Sequence, residues 1–68
     1  MREISVAGGG IRLGQFLKLA DVVEQGSDVK HLLAGGTVRV NGEPEDRRGR
    51  QLVPGDVVTV GGTEFAVR

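Results

Sequence analysis

The sequence predicts an α+β fold in which two short helices pack on a small, twisted, mainly antiparallel sheet. Apolar residues recur at helical spacing in the first half of the chain, whereas the second half has short alternating segments separated by turn residues. The 68 residues, of which 38% are hydrophobic, suffice for a single domain over residues 1–68 with one small core. Such a core leaves little room for a buried active-site cavity.

The first twenty residues predict a brief strand, a glycine turn and a helix. Residues 2–6 alternate between polar and apolar side chains, and three glycines at 8–10 end this segment. From Ile11 to Ala20 the apolar side chains fall at i, i+3, i+4 and i+7, which defines the buried stripe of an amphipathic helix. The members of this stripe are Leu13, Phe16, Leu17 and Ala20. The side expected to face water carries Arg12, Gln15 and Lys18.

A second helix is predicted to begin after Ser27 and to end at Gly35-Gly36. Ser27 is the expected N-cap, because its hydroxyl can accept a hydrogen bond from a free backbone amide. Asp28 in the first turn complements the helix dipole. Val29 shares one helical face with Leu32-Leu33, and the glycine pair supplies a left-handed stop.

A hairpin is predicted directly after the second helix. Val38 and Val40 are expected to point inward, with Arg39 between them pointing outward. Asn41-Gly42 is the strongest short hairpin signal, because a primed two-residue turn needs both central residues in the left-handed region. The highly charged stretch 43–51 is then expected to run along the surface.

The remainder of the chain predicts further strands and tight turns. Leu52-Val53 is expected to return to the core, and Pro54-Gly55-Asp56 suits a type II turn. Residues 57–60 are predicted to form a strand, Gly61-Gly62 another tight turn, and residues 65–67 part of a final strand that pairs back.

Composition limits the function classes. Nine basic and nine acidic residues give a formal net charge of zero, so any nucleic-acid binding must depend on where the charges lie. There is no cysteine, which excludes a disulfide framework and a thiolate zinc site. The apolar runs predict neither a membrane span nor a signal peptide, and a cytoplasmic location is the default expectation.

Catalysis is weakly supported, and neither a cofactor nor a metal is expected. The single histidine, His31, lies beside two leucines without a partner identifiable from spacing, so a surface or boundary residue is a better interpretation than a general base. Glu43, Glu45 and Asp46 are interpreted as a solvated loop with local charge pairing rather than a cation site. The glycines at 8–10 fit neither Walker nor Rossmann spacing.

The basic residues carry more information. Three guanidinium groups lie within four residues, and the planar donors of arginine suit bidentate phosphate contacts. The candidates for a common RNA-binding surface are Lys18, Lys30, Arg39, Arg47, Arg48 and Arg50. Further candidates are Arg12, His31 and Asn41. Phe16 and Phe65 both fit core positions, which leaves no aromatic ring to stack unpaired bases and favours recognition of phosphates and RNA shape.

The pattern resembles the alpha-L RNA-binding motif of the small-subunit ribosomal protein S-four type, in particular its small stand-alone bacterial members. The resemblance covers nearly the whole chain through six motifs in order: Ile11-Arg12-Leu13, Gln15-Phe16-Leu17-Lys18, Lys30-His31-Leu32-Leu33, Val38-Arg39-Val40-Asn41-Gly42, Arg47-Arg48-Gly49-Arg50 and Gly55-Asp56. Two departures from that pattern are Gly14, where an aspartate is common, and Gln25-Gly26, where larger relatives carry Ser-Arg.

This resemblance implies a non-catalytic module whose two helices and following hairpin face structured RNA. Ribosomal or transfer RNA, or a ribosome-associated protein partner, would be bound in ribosome assembly or translation. A protein-interaction module that uses the sheet edge or the charged loop, without RNA binding, is the alternative that zero net charge suits equally well.

Overall fold

The computed structural model describes the backbone of residues 1–68 and every side chain except that of Ala7. A short 3-10 turn at Ala7–Gly9 separates the first two strands. The helices are α1 Leu13–Leu19 and α2 Gly26–Ala34. The strands are β1 Arg2–Ile4, β2 Ile11–Arg12, β3 Val38–Val40, β4 Glu43–Pro44, β5 Gln51–Leu52, β6 Val57–Val60 and β7 Thr63–Val67. Among the described helices, none is long and apolar enough to cross a membrane.

Five strands form one sheet in the order β1-β7-β6-β3-β4, and β2 pairs with β5 in a separate two-stranded ribbon. Only β1 and β7 run parallel among the described pairs; the others are antiparallel. This arrangement of two helices and a mainly antiparallel sheet confirms the predicted α+β class.

The core lies between the helices and one face of the sheet. The predicted stripe of α1 is buried, and α2 contributes Val29 and Leu33. The rings of Phe16 and Phe65 meet edge to face with centroids 6.4 Å apart, which joins α1 to the sheet. The other core members are Val23, Val38, Val40, Leu52, Val58 and Val67. Both phenylalanines therefore lie in the core, as predicted.

The first helix begins two residues later than the sequence predicts. Ile11 and Arg12 are extended and pair with Leu52 and Gln51 in the β2-β5 ribbon. The backbone amides of this segment are therefore drawn into a sheet interaction, which periodicity alone does not reveal. The strand near the N-terminus is also shorter than the predicted 2–6 and ends at Ile4.

The second helix begins at Gly26, so the prediction that Ser27 caps it is wrong. Gln25 is the N-cap, and its backbone N–H donates to Asp28 Oδ2 at 3.2 Å while its side chain accepts from the backbone of that residue. This reciprocal pair satisfies the backbone amides of Gln25 and Asp28. Asp28 lies in the first turn as predicted.

The predicted turns are present. α2 stops where Gly36 has a φ of +75°, and Gly55 has a φ of +103° in the turn before β6. Asn41 and Gly42 have φ angles of +52° and +84°, as a primed two-residue hairpin requires. The expectation for Leu52-Val53 is only half correct, because Leu52 is buried whereas Val53 is 47% exposed.

Gly42→Val is expected to lower the free energy of unfolding by about 1 to 3 kcal/mol, because a β-branched residue is strained at positive φ. A Cβ at this position would meet no atom within 4 Å, so the cost comes from backbone strain and not from a clash. Gly62→Val is the matched control, since that turn glycine is equally open and lacks a positive φ. Urea unfolding of both variants measures the difference. Equal stability of the two variants would contradict a requirement for positive φ at Gly42.

Candidate nucleic-acid interface

Two shallow grooves meet at Arg48. The first, here called the α1 groove, has a volume of about 270 Å³ and lies between α1 and residues 45–50, which we call the arginine loop. Its lining consists of Arg12, Gly14, Gln15, Lys18, Arg48 and Gly49. The second, the α2 groove, has a volume of about 400 Å³. Its lining consists of Lys30, Leu33, Ala34, Asp46 and Arg48.

The arginine loop is fixed to the start of α1 by backbone hydrogen bonds. The N–H groups of Leu13 and Gly14 donate to the carbonyls of Arg50 and Arg48 at 2.8 and 2.9 Å. These are two of the amides that a helix leaves free in its first turn, and α1 has no side-chain cap. The loop therefore serves as the cap of α1.

Gly14 lies where the loop, α1 and α2 meet. The residue is buried, and a Cβ built on it would lie 3.4 Å from the carbonyl oxygen of Arg48 and 3.5 Å from Cγ1 of Val29. Nη2 of Arg48 lies 3.5 Å from the corresponding Cβ position on Gly26, at the start of α2. The Arg48 side chain therefore spans from the loop to the second helix, and both grooves share it.

Glu45 holds the other two arginines of the loop. Its side chain is 6% exposed, so the expectation of a solvated acid is wrong for this residue, although local charge pairing is present. Oε2 accepts from Nε of Arg47 at 3.0 Å and from the Arg47 backbone N–H at 3.1 Å. Oε1 accepts from Nη1 of Arg50 at 2.8 Å and from Nη2 of Arg47 at 3.2 Å.

This arrangement stabilises the ionised form of the carboxylate. The Arg47 side chain, followed by that of Arg50, lowers the pKa of Glu45 from 4.5 to about 2, against the opposing effect of burial. The same contact raises the pKa of Arg47 above its ordinary value. Within this cluster, the negative charge of Glu45 offsets part of the positive charge of Arg47 and Arg50.

Four of the predicted RNA-binding residues come together. Arg12 and Lys18 line the α1 groove, Lys30 lines the α2 groove, and Arg48 belongs to both. None of these four takes part in a salt bridge within the described part of the chain. The two grooves therefore present cations whose charge is not offset by a paired carboxylate.

Other predicted residues lie elsewhere or are held by the fold. Arg39 is on the sheet face away from the core, where Nη1 donates to the Gly42 carbonyl at 3.2 Å. The Asn41 amide joins the hairpin to β6, because Oδ1 accepts from the Val57 N–H at 2.8 Å and Nδ2 donates to Asp56 at 3.0 Å. His31 is exposed on α2, as predicted, and lines neither groove.

The described residues show no cluster of three or more acidic or histidine side chains suited to a metal ion.

The chain matches the S4 domain family over residues 4–68. It belongs to the S4 domain family. Over 59 residues this S4 domain is 52% identical to the "Probable ribosome maturation protein RlbA" of Bacillus subtilis, covering 87% of this chain and 83% of that protein. Over 49 residues it is 43% identical to the "Small ribosomal subunit protein uS4m" of Schizosaccharomyces pombe, covering 72% of this chain but 15% of that protein.

Sequence reasoning missed the role of Glu45, although the hairpin register contained the signal. In this S4 domain Val40 pairs with Glu43 and Arg39 with Pro44, so the next position places Glu45 opposite Val38. The Glu45 N–H donates to the Val38 carbonyl at 3.0 Å. Val38 points into the core and Glu45 opposite it is buried, whereas Glu43 opposite the buried Val40 is exposed.

The contribution of Glu45 to stability is expected to depend on pH. Its folded-state pKa of about 2 lies below the ordinary 4.5, so the stabilisation is complete above pH 4.5 and is lost as the pH falls toward 2. The difference in unfolding free energy between the wild type and Glu45→Gln should therefore shrink over this range. Denaturant titrations from about pH 6 to about pH 2 measure it, and the other carboxylates cancel in the comparison. A difference in unfolding free energy that stayed constant with pH would contradict an ionised Glu45 paired with the two arginines.

Proposed function

We propose that this S4 domain is a non-catalytic RNA-binding module, acting as a single domain over residues 1–68, that recognises structured RNA through the two grooves at Arg48. The observation that carries the proposal is the convergence of four cations in a chain of zero net charge. Although Asp46 also lines the α2 groove, none of the four cations is held in a salt bridge, so their charges stay available to phosphate.

The mechanism is neutralisation of phosphates along a folded RNA backbone. Lys18 and Lys30 act as flexible point charges, whereas Arg12 and Arg48 offer planar donor forks that suit phosphate oxygens. Both phenylalanines are buried, so base stacking on aromatic rings contributes nothing. Shape and backbone contacts therefore determine which RNA is bound.

The relatives favour an RNA of the ribosome. One of them is named as a probable ribosome maturation protein and the other as a small-subunit ribosomal protein. Ribosomal RNA during assembly is accordingly the proposed ligand, with transfer RNA as the second RNA class and a ribosome-associated protein as a further partner. This role would place the protein in the cytoplasm.

Replacing Lys18, Lys30 and Arg48 together by glutamine is expected to weaken binding to unrelated RNA hairpins by similar factors, because phosphate contacts carry little sequence information. The logarithm of the binding constant should fall with the logarithm of salt concentration, and each substitution should flatten that slope by about 0.7 to 0.9. Titration of fluorescent RNA hairpins from about 50 to about 200 mM salt measures both quantities.

Arg68→Gln is the matched control, because it removes one exposed cation that is paired with Glu3 at the edge of the sheet. Its slope should equal that of the wild type. If the folded triple variant bound RNA with wild-type affinity and an unchanged salt slope, the α1 and α2 grooves would not be the RNA site. The alternative, a protein-interaction module, would then account better for the chain.

A further inference from the structure

We propose that Glu45 is a positioning residue for RNA binding: it retains Arg47 and Arg50 in the fold and holds the loop so that Arg48 is the arginine that meets phosphate. This inference rests on the proposed function and specifies how the arginine loop performs it. The three arginines are equivalent in sequence spacing, but their surroundings in the structure differ.

The charges of Arg47 and Arg50 are offset within the protein. Both guanidinium groups donate to one carboxylate at distances of 2.8 to 3.2 Å, although the side chain of Arg47 is 72% exposed and that of Arg50 is 32% exposed. A phosphate that approached either group would have to compete with a carboxylate already in contact. These two arginines are therefore expected to release fewer counterions on RNA binding than their charge suggests.

Arg48 has different surroundings, although its neighbours in sequence are fixed. The loop is held on one side where the Glu45 N–H donates to the Val38 carbonyl, and on the other where Arg48 and Arg50 carbonyls accept from α1. A further bond from the Arg50 N–H to the Arg47 carbonyl at 3.2 Å closes the turn between them. Between these attachments the Arg48 side chain extends over both grooves.

Glu45 links the offset charges of Arg47 and Arg50 to the position of Arg48. With the carboxylate in place, the loop presents one cation at a fixed position beside Lys18 and Lys30. Without its charge, Arg47 and Arg50 would be released from the carboxylate, the loop would keep only its backbone attachments to β3 and α1, and Arg48 would be held less firmly at the junction of the grooves. The buried Glu45 therefore determines which of the three loop arginines binds phosphate.

The experiment compares single substitutions by salt dependence, with a fluorescent RNA hairpin as the probe. Arg48→Gln is expected to flatten the slope by about 0.7 to 0.9, whereas Arg47→Gln and Arg50→Gln should change it by less than half as much while lowering the melting temperature. In a Glu45→Gln background, the effect of Arg48→Gln should fall to less than half its wild-type size, because the loop that carries Arg48 is then held by backbone bonds alone.

Lys18→Gln serves as the control in both backgrounds. It lies on α1 and not on the loop, so its effect on the slope should be the same with and without Glu45. This comparison separates a specific coupling to Arg48 from general loosening of the fold, which would reduce both effects.

Two outcomes would overturn the inference. One is an equal flattening of the slope by Arg47→Gln and Arg48→Gln, which is decisive even if Glu45→Gln fails to fold. The other is an unchanged effect of Arg48→Gln in the Glu45→Gln background. Failure of the proposed function is distinguishable from both, because the wild type would then either not bind the RNA hairpin or bind it without any contribution from Arg48 and Lys18.

Discussion

The two-residue turn at Asn41-Gly42 fixes the register on which much of this S4 domain depends. Its left-handed backbone aligns β3 with β4, and the Asn41 side chain accepts from the first residue of β6. Because side chains alternate along a strand, this register determines that Val38 and Val40 enter the core and that Arg39 does not. A shift by one residue would also turn Glu45 away from the core and release the arginine loop.

Glu45 illustrates what a buried ion pair contributes in a small domain. Removing a carboxylate from water is costly, and its two arginine partners outweigh that cost, which is why the pKa of Glu45 is lowered and not raised. As a result, the arginine loop, which is rich in charge and poor in apolar residues, adopts a single conformation. That arrangement also provides the α1 helix with backbone carbonyls in place of a side-chain cap.

Net charge is a poor guide to the surface of this protein. The chain is neutral as a whole, yet the three arginines of the loop lie in two environments, with Arg47 and Arg50 in contact with a carboxylate and Arg48 facing the grooves. Local spacing cannot distinguish these environments, since Arg47, Arg48 and Arg50 occupy one short stretch. Only the position of Glu45 relative to the core separates them.

Local sequence patterns alone predict the fold class, the apolar stripe of α1, the hairpin turn and the core positions of both phenylalanines. These follow from the spacing of apolar residues and from the turn-forming residues, which depend only on residues close together in the sequence. Tertiary structure decided the start of α1, the cap of α2 and the division among the loop arginines. Each of these depends on a partner distant in sequence or on a reciprocal side-chain contact: Ile11 is drawn into pairing with Leu52, and the Gln25–Asp28 pair replaces Ser27 as the cap. Arg48 reaches both grooves because the loop is attached to α1 and to β3 at once.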